Sequence, residues 1–178
     1  MGQGRGRLDH QHLAGKFSGR EHILPLRVYY EDTDFAGVVY HANYVRYLER
    51  GRSEFIRAIG ASHTSLMQSA NPSTFVVSGL KMKFVRPARI DDQLEIFTAM
   101  QWVRGARIFA RQSIFRGNDL ILEAAVENVC VSMQGRPRRL PKWMMHRLEP
   151  HLDQSLLPRP RAANDDEAVA AAMAVAAE

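Results

Sequence analysis

One long helix-like run followed by four strand-like runs, with no convincing helix between those strands, is the pattern that most limits how this chain folds. The helix reading covers Asn43 to Ile59. There Tyr44, Leu48, Phe55, Ile56 and Ile59 recur at three-, four- and seven-residue spacings and so share one face. Asn43 reads as its N-cap and Gly60 as its C-terminal stop. Gly51 inside it costs about 1 kcal/mol relative to alanine in a generic helix, which points to close approach of a sheet. The strand runs are Thr74–Arg86, Gln93–Val103, Arg107–Arg116 and Leu120–Met133. In the second, Leu94, Ile96, Thr98, Met100 and Trp102 share one parity and hence one face. The breaks between runs are Pro87-Ala88-Arg89 with Asp91-Asp92, then Arg104-Gly105-Ala106, then Gly117-Asn118-Asp119. Turns this short predict an antiparallel meander, and a sheet of that kind needs the helix to cover one face. The fold class read from the residues is α+β.

The flanks are weaker in pattern. Residues 1–22 read as a disordered tail, with Gly2, Gly4, Gly15 and Gly19 among charges and no apolar period. They lack the apolar core of a secretory signal. Ile23 to Tyr30 is a short β-rich run, and Thr64–Ser69 and Pro141–His146 read as short helices. The sequence therefore divides into a tail (1–22), one domain (23–150) and a second tail (151–178) whose alanines after Asp165-Asp166 suggest a marginal helix.

With Lys+Arg 24 against Asp+Glu 19 the net charge is +5, a modest excess that suits an anionic ligand or membrane face as well as an uneven surface. No Lys/Arg stripe with interleaved aromatics is present, so nucleic acid is not expected as a partner. No apolar run reaches the roughly 20 residues of a membrane helix. One cysteine, Cys130, excludes an intrachain disulfide and fits a reducing cytoplasm. The serines Ser53, Ser65 and Ser78 lack the G-x-S-x-G context, and neither a dinucleotide nor a P-loop glycine pattern occurs.

Chemistry concentrates in residues 31–44, Glu-Asp-Thr-Asp-Phe-Ala-Gly-Val-Val-Tyr-His-Ala-Asn-Tyr. A carboxylate delivered by a turn beside a helix N-terminus meets free amide donors and positive potential, and it can attack a carbonyl or activate water. Asp34 and Asp32 compete for that role. If the preceding strand continues, Tyr30, Asp32 and Asp34 share one parity, so spacing does not choose between the carboxylates. His41, just before the helix, reads equally as a group that positions a carbonyl or as a surface histidine. Tyr30 and Tyr44 are pocket-lining or core aromatics. Glu49 and Glu54 with Arg46, Arg50, Arg52 and Arg57 read as a solvated or interface charge face. A metal is not expected, because Asp34 and His41 lack a supporting His/Cys set.

The segment Tyr29–Tyr44, with its Asp-Thr-Asp-x-x-Gly-Val-Val-Tyr-His core, closely resembles the YbgC-like acyl-CoA thioesterases, the Tol-Pal-associated relatives of 4-hydroxybenzoyl-CoA thioesterase. The resemblance continues through Leu48-Glu49-Arg50-Gly51-Arg52-Ser53-Glu54-Phe55 and covers roughly Leu24 to Gln134. It implies a hotdog fold, a long helix wrapped by a curved antiparallel sheet, assembled as homodimers or homotetramers with active sites at the dimer interface. It implies that Asp34 is the catalytic carboxylate and maps the family tyrosine and histidine onto Tyr30 and His41. Phe35 stands where the family commonly has a small residue.

The expected activity is hydrolysis of an acyl-CoA thioester to a free acid and coenzyme A, with no cofactor beyond the coenzyme A of the substrate. Tyr30 is expected to hold Asp34 or the substrate. Tyr44 and Val39 are expected along the substrate, and Lys81, Lys83, Arg86, Arg104 and Arg107 are candidates for the coenzyme A phosphates. The alternatives are a hotdog partner of an acyl carrier protein or of the cytoplasmic membrane face, with little turnover, and a hydratase, against which the Asp-Thr-Asp turn argues.

Overall fold

The structure, a computed structural model, describes residues 14–153. It opens with a hairpin, β1 (Lys16–Ser18) and β2 (Glu21–Arg27), turned at Gly19 with φ of 61°. The expected tail therefore does not reach residue 22. Phe17 supplies the anchor: its ring meets Phe55 and His22 edge-on at 5.2 and 5.3 Å. A strand this short carries too little alternation to be read from sequence. At the other end, the alanine-rich segment of the expected second tail lies outside the described residues.

The remaining elements are α1 (His41–Ala58), α2 (His63–Met67), β3 (Ser73–Phe84), β4 (Gln93–Arg104), β5 (Arg107–Arg116), β6 (Asp119–Ser132) and α3 (Lys142–Leu148). They form one six-stranded sheet in the order β1-β2-β4-β5-β6-β3, with every pair of neighbours antiparallel. The meander holds for β4-β5-β6 but not for β3, which lies at the far edge beside β6. Residues 85–92 make that crossing. Three strand spacings are about 14 Å, and eight extended residues span up to about 26 Å, so the connection looks like a local turn in sequence while leaving room for two strands between its ends.

α1 lies across one face of this sheet. Tyr44, Tyr47, Leu48, Phe55 and Ile56 are its buried apolar residues, and they meet Leu94, Ile96, Met100, Ala110 and Ile114 in two adjoining clusters. Gly51 is where helix and sheet come closest: a Cβ there would stand 2.8 Å from Ile96 Cγ2 and 2.9 Å from Thr98 Oγ1. Gln112 fills the polar centre of this contact. Its amide donates to the Leu48 carbonyl at 2.8 Å and to Thr98 Oγ1 at 2.9 Å, and its oxygen accepts from Arg52 at 2.8 Å. Arg52 is thus buried rather than part of the solvated charge face its sequence setting suggested.

Two irregularities matter. The β4–β5 register shifts between Met100 and Trp102. The extra residue moves Trp102 off the row of Ile96 and Thr98, and its ring stacks on Phe109 at 5.3 Å. A single-parity reading of β4 fails there because a bulge inserts one residue into the period. A second register shift lies between Val77 and Gly79 in β3.

Candidate active site

β2 stops at Arg27 because Val28 is tied sideways: its amide donates to the Asp92 carbonyl, and its own carbonyl accepts from Asp91, both at 3.0 Å. Tyr30–Asp32 then forms a 3-10 turn, so the shared parity of Tyr30, Asp32 and Asp34 does not exist in the folded chain. The two aspartates separate in role. Asp32 is buried, and its carboxylate accepts the Tyr29 amide at 2.9 Å. Its carbonyl accepts both the Tyr40 amide and the Asn43 side-chain amide, each at 2.9 Å. Asp32 and Asn43 together pin the loop to the helix. Above them, burial and then the Asp32 carboxylate push the Tyr47 hydroxyl pKa up.

Asp34 is exposed at the tip of a small hairpin in which Thr33 pairs with Val39. Its amide donates to the Val38 carbonyl and its carbonyl accepts from Gly37, both at 2.9 Å. Gly37 closes the turn at φ of 72°, a conformation a side chain would strain. One carboxylate oxygen accepts the Ala36 amide at 2.8 Å; the other has no hydrogen-bond partner among the described residues.

α1 begins at His41 with Tyr40 as the capping residue, three residues before the expected Asn43 cap, and no side chain caps it. The Asn43 amide bonds the Tyr40 carbonyl at 2.8 Å. The amides of His41 and Ala42 have no acceptor among the described residues, so two donors and the positive end of an 18-residue helix stand open beside the Asp34 turn. The His41 side chain is exposed, with its ring 4.4 Å from that of Tyr40.

Several expected site residues lie elsewhere. Val39 and Tyr44 are 4% and 3% exposed and belong to the core. The Val39 amide donates to the Ala88 carbonyl at 2.8 Å, and the Tyr44 hydroxyl accepts from the Ala88 amide at 3.2 Å. They clamp residue 88 beneath the site instead of lining a substrate. Tyr30 is 84% exposed, and no hydrogen bond joins it to Asp34. Lys83 and Arg86 lie at the site's end of the molecule, next to Phe84, whose ring meets Tyr44 at 5.6 Å. Arg104 and Arg107 flank the β4–β5 turn, twelve strand residues from Gln93 and so about 36 Å away along the sheet. Arg107 there is paired with Glu127. Arg89 was missed: its guanidinium donates to the Gly37 carbonyl at 3.3 Å, beside Asp34. A contact across 52 residues leaves no trace in local pattern. Cys130 is buried, and burial pushes its thiol pKa up, as suits an inert core position.

A sheet wrapped on one face around a single long helix, with a carboxylate turn at that helix's open N-terminus, defines the hotdog class. The model of the thioesterase-like superfamily matches residues 28–148. The acyl-CoA thioester hydrolase YbgC of Escherichia coli O157:H7 is 45% identical over 120 residues, 66% of this chain and 88% of that protein. The acyl-CoA thioesterase YbgC of Haemophilus influenzae is 37% identical over 120 residues, 67% and 88% of the two chains. Among solved structures, a probable thioesterase from Bartonella henselae superposes with a TM-score of 0.66 at 44% identity, covering 68% of this chain and 99% of that one. The chain belongs to the thioesterase-like superfamily, on the branch of the YbgC acyl-CoA thioesterases.

Proposed function

We propose that the protein is an acyl-CoA thioester hydrolase whose chemistry is carried by Asp34. The observation behind this reading is the juxtaposition at the start of α1: a carboxylate with an uncommitted oxygen next to the unpaired amides of His41 and Ala42. A thioester carbonyl directed at those amides places its developing oxyanion against two donors and the helix end, an arrangement in which one donor is worth about 3 kcal/mol in other enzymes. Asp34 either attacks the carbonyl carbon, giving a mixed anhydride that water then cleaves, or removes a proton from the attacking water. Both routes consume one water and release the acid and the coenzyme A thiol. His41 orients the thioester or the water, and Tyr30, projecting outward, reaches substrate rather than Asp34. Arg86 and Arg89 are the basic groups on the site's side for the coenzyme A phosphates, whereas Lys83 alternates with Phe84 and stands on the other face of the sheet, opposite Glu123. The YbgC relatives carry the same activity in their names.

The site is completed by a second copy of the chain. β3 is paired only with β6, and among the described residues nothing pairs its other edge over 12 residues. Tyr29, Tyr30, Phe35, Leu80 and Phe84 are exposed on or near the side where that edge and the Asp34 turn lie. An edge of this length invites strand addition, and antiparallel β3–β3 pairing would cover it. No described helix is long and apolar enough to cross a membrane, and a cytoplasmic location is part of this proposal. The test is purified protein assayed for thiol release over short, medium, long and aromatic acyl-CoAs. Turnover of at least one class supports the reading. Stoichiometric acyl-carrier-protein binding with no turnover of any acyl-CoA supports the binding-partner alternative.

A further inference from the structure

Between the middle of α1, the start of α2 and the first half of β3 lies a cavity of about 70 Å³. Val77, Asn128 and Ile108 stand side by side across β3, β6 and β5 on its wall. Glu49, Arg52 and His63 face them. Asn128 is only 8% exposed, and its side-chain amide makes no hydrogen bond among the described residues. The Asn128 amide is absent from the sealed, unpartnered polar atoms of the interior, so it opens onto the cavity, where its donor and its acceptor are both available to a ligand or to water.

The opposite wall is already satisfied. Glu49 accepts from Arg52 at 2.5 Å and from the Ser53 hydroxyl at 3.0 Å. The Ser53 oxygen then meets His63 Nε2 at 3.3 Å, and because that hydroxyl's proton is spent on Glu49, the proton belongs on Nε2. Arg52 spends another donor on Gln112.

This cavity lies further along the same flank of α1 at whose start the candidate catalytic site stands. β3 runs back along α1: Phe84 meets Tyr44 near the helix start, while Phe75 and Val77 join Glu49 and Ile56 further on. Ala42, Val45, Glu49, Arg52 and Ile56 recur at three- and four-residue intervals and form one stripe of α1. Val45 and Leu80 are exposed apolar residues along that path. Ala42 to Glu49 is about 10 Å of helix, the reach of an extended chain of roughly eight carbons with bonds of about 1.5 Å. The cavity itself has room for about two water-sized groups.

We propose that the cavity is the subsite for the far end of the acyl group, and that Asn128 selects medium-length acyl chains bearing a neutral hydroxyl or carbonyl there. This rests on the acyl-CoA reading above. A hydroxyl both donates and accepts, matching the two free functions of the Asn128 amide. A carboxylate at that end would meet Glu49, and an ammonium would meet Arg52. The experiment compares kcat/KM of the full chain for butyryl-, octanoyl- and ω-hydroxyoctanoyl-CoA in the wild type and in Asn128→Leu. The wild type is expected to favour the hydroxylated chain over octanoyl by at least about tenfold. Asn128→Leu should bring that ratio to one or below and leave butyryl-CoA, too short to reach the cavity, unchanged. A wild-type ratio near one with good turnover, or a ratio kept in the variant, overturns the inference alone. No turnover of any of these three substrates by a wild type that hydrolyses a long or aromatic acyl-CoA also overturns the inference alone; no turnover of any acyl-CoA in the wider panel overturns the acyl-CoA reading and the inference with it. If Asn128→Leu does not fold, the wild-type ratio and the smaller change Asn128→Ala, which also removes the donor and the acceptor, decide the matter in the same terms.

Discussion

Replacing Gly51 by alanine is expected to destabilise the fold, although the same change in an exposed helix would do the opposite. On propensity alone, alanine gains about 1 kcal/mol over glycine in a helix interior. In this structure the added Cβ would sit 2.8 Å from Ile96 Cγ2, 2.9 Å from Thr98 Oγ1 and 3.1 Å from Gln112 Nε2. None of these neighbours retreats freely. Ile96 is fully buried, and Gln112 is held between the Leu48 carbonyl, Thr98 and Arg52. Overpacking of a filled contact costs typically about 1–3 kcal/mol, and each Gln112 hydrogen bond that is stretched removes up to about 1 kcal/mol net. After the propensity gain is subtracted, the expected loss is about 1–3 kcal/mol. For a chain of this length that is a fall in Tm of roughly 3–10 °C. Urea denaturation followed by circular dichroism, with a matched thermal melt, measures it. A variant that is as stable as the wild type, or more stable, refutes the claim that α1 needs a glycine to approach the sheet.

Three further outcomes follow from particular residues. Tyr40 has φ of −60° and ψ of 131°, a conformation proline tolerates in the residue before it, so His41→Pro is expected to fold with α1 intact. Because His41→Ala keeps the amide that His41→Pro removes, kcat of the proline variant should lie about 10²–10³-fold below that of the alanine variant; equal rates would exclude that amide as a carbonyl donor. Burial holds the His22 imidazole pKa below the usual histidine range, against the raising effects of the Ala14 carbonyl and Glu54. The unfolded chain therefore takes up that proton first, and stability should fall as pH drops below about 6.5. Urea midpoints between about pH 7.5 and about pH 5 should show that slope, and His22→Phe should flatten it. Sedimentation equilibrium should give at least twice the 20.2 kDa chain mass, and a monomer at assay concentration would contradict β3–β3 pairing.

Much of this was legible before any coordinates. The helix face, the turns at Gly105 and Gly117 and the close approach at Gly51 all follow from periods and residue types that act locally. What escaped was non-local. The position of β3 at the far edge depends on where residues 85–92 cross, and a connection of that length permits both topologies. The bulge at Gln101 moves Trp102 to another face without altering composition. Asp32 and Asp34 look alike in sequence. They part only because the chain leaves the extended conformation at Tyr30, which buries one carboxylate under the backbone and leaves the other exposed at a turn tip. Val39 and Tyr44 face the core because both bond Ala88, 49 and 44 positions away, and Arg89 reaches Gly37 through that same clamp.

The most direct test is the turnover of Asp34→Asn. Asparagine keeps the size and the side-chain oxygen that accepts the Ala36 amide, so the turn should survive. It removes the charge needed to attack a thioester or to take a proton from water. With circular dichroism and oligomeric state unchanged, kcat/KM for the best acyl-CoA should fall by about 10³ or more. A folded Asp34→Asn protein that hydrolyses the same acyl-CoA within about tenfold of the wild type would contradict the account, because no tenfold effect accommodates the loss of a catalytic carboxylate.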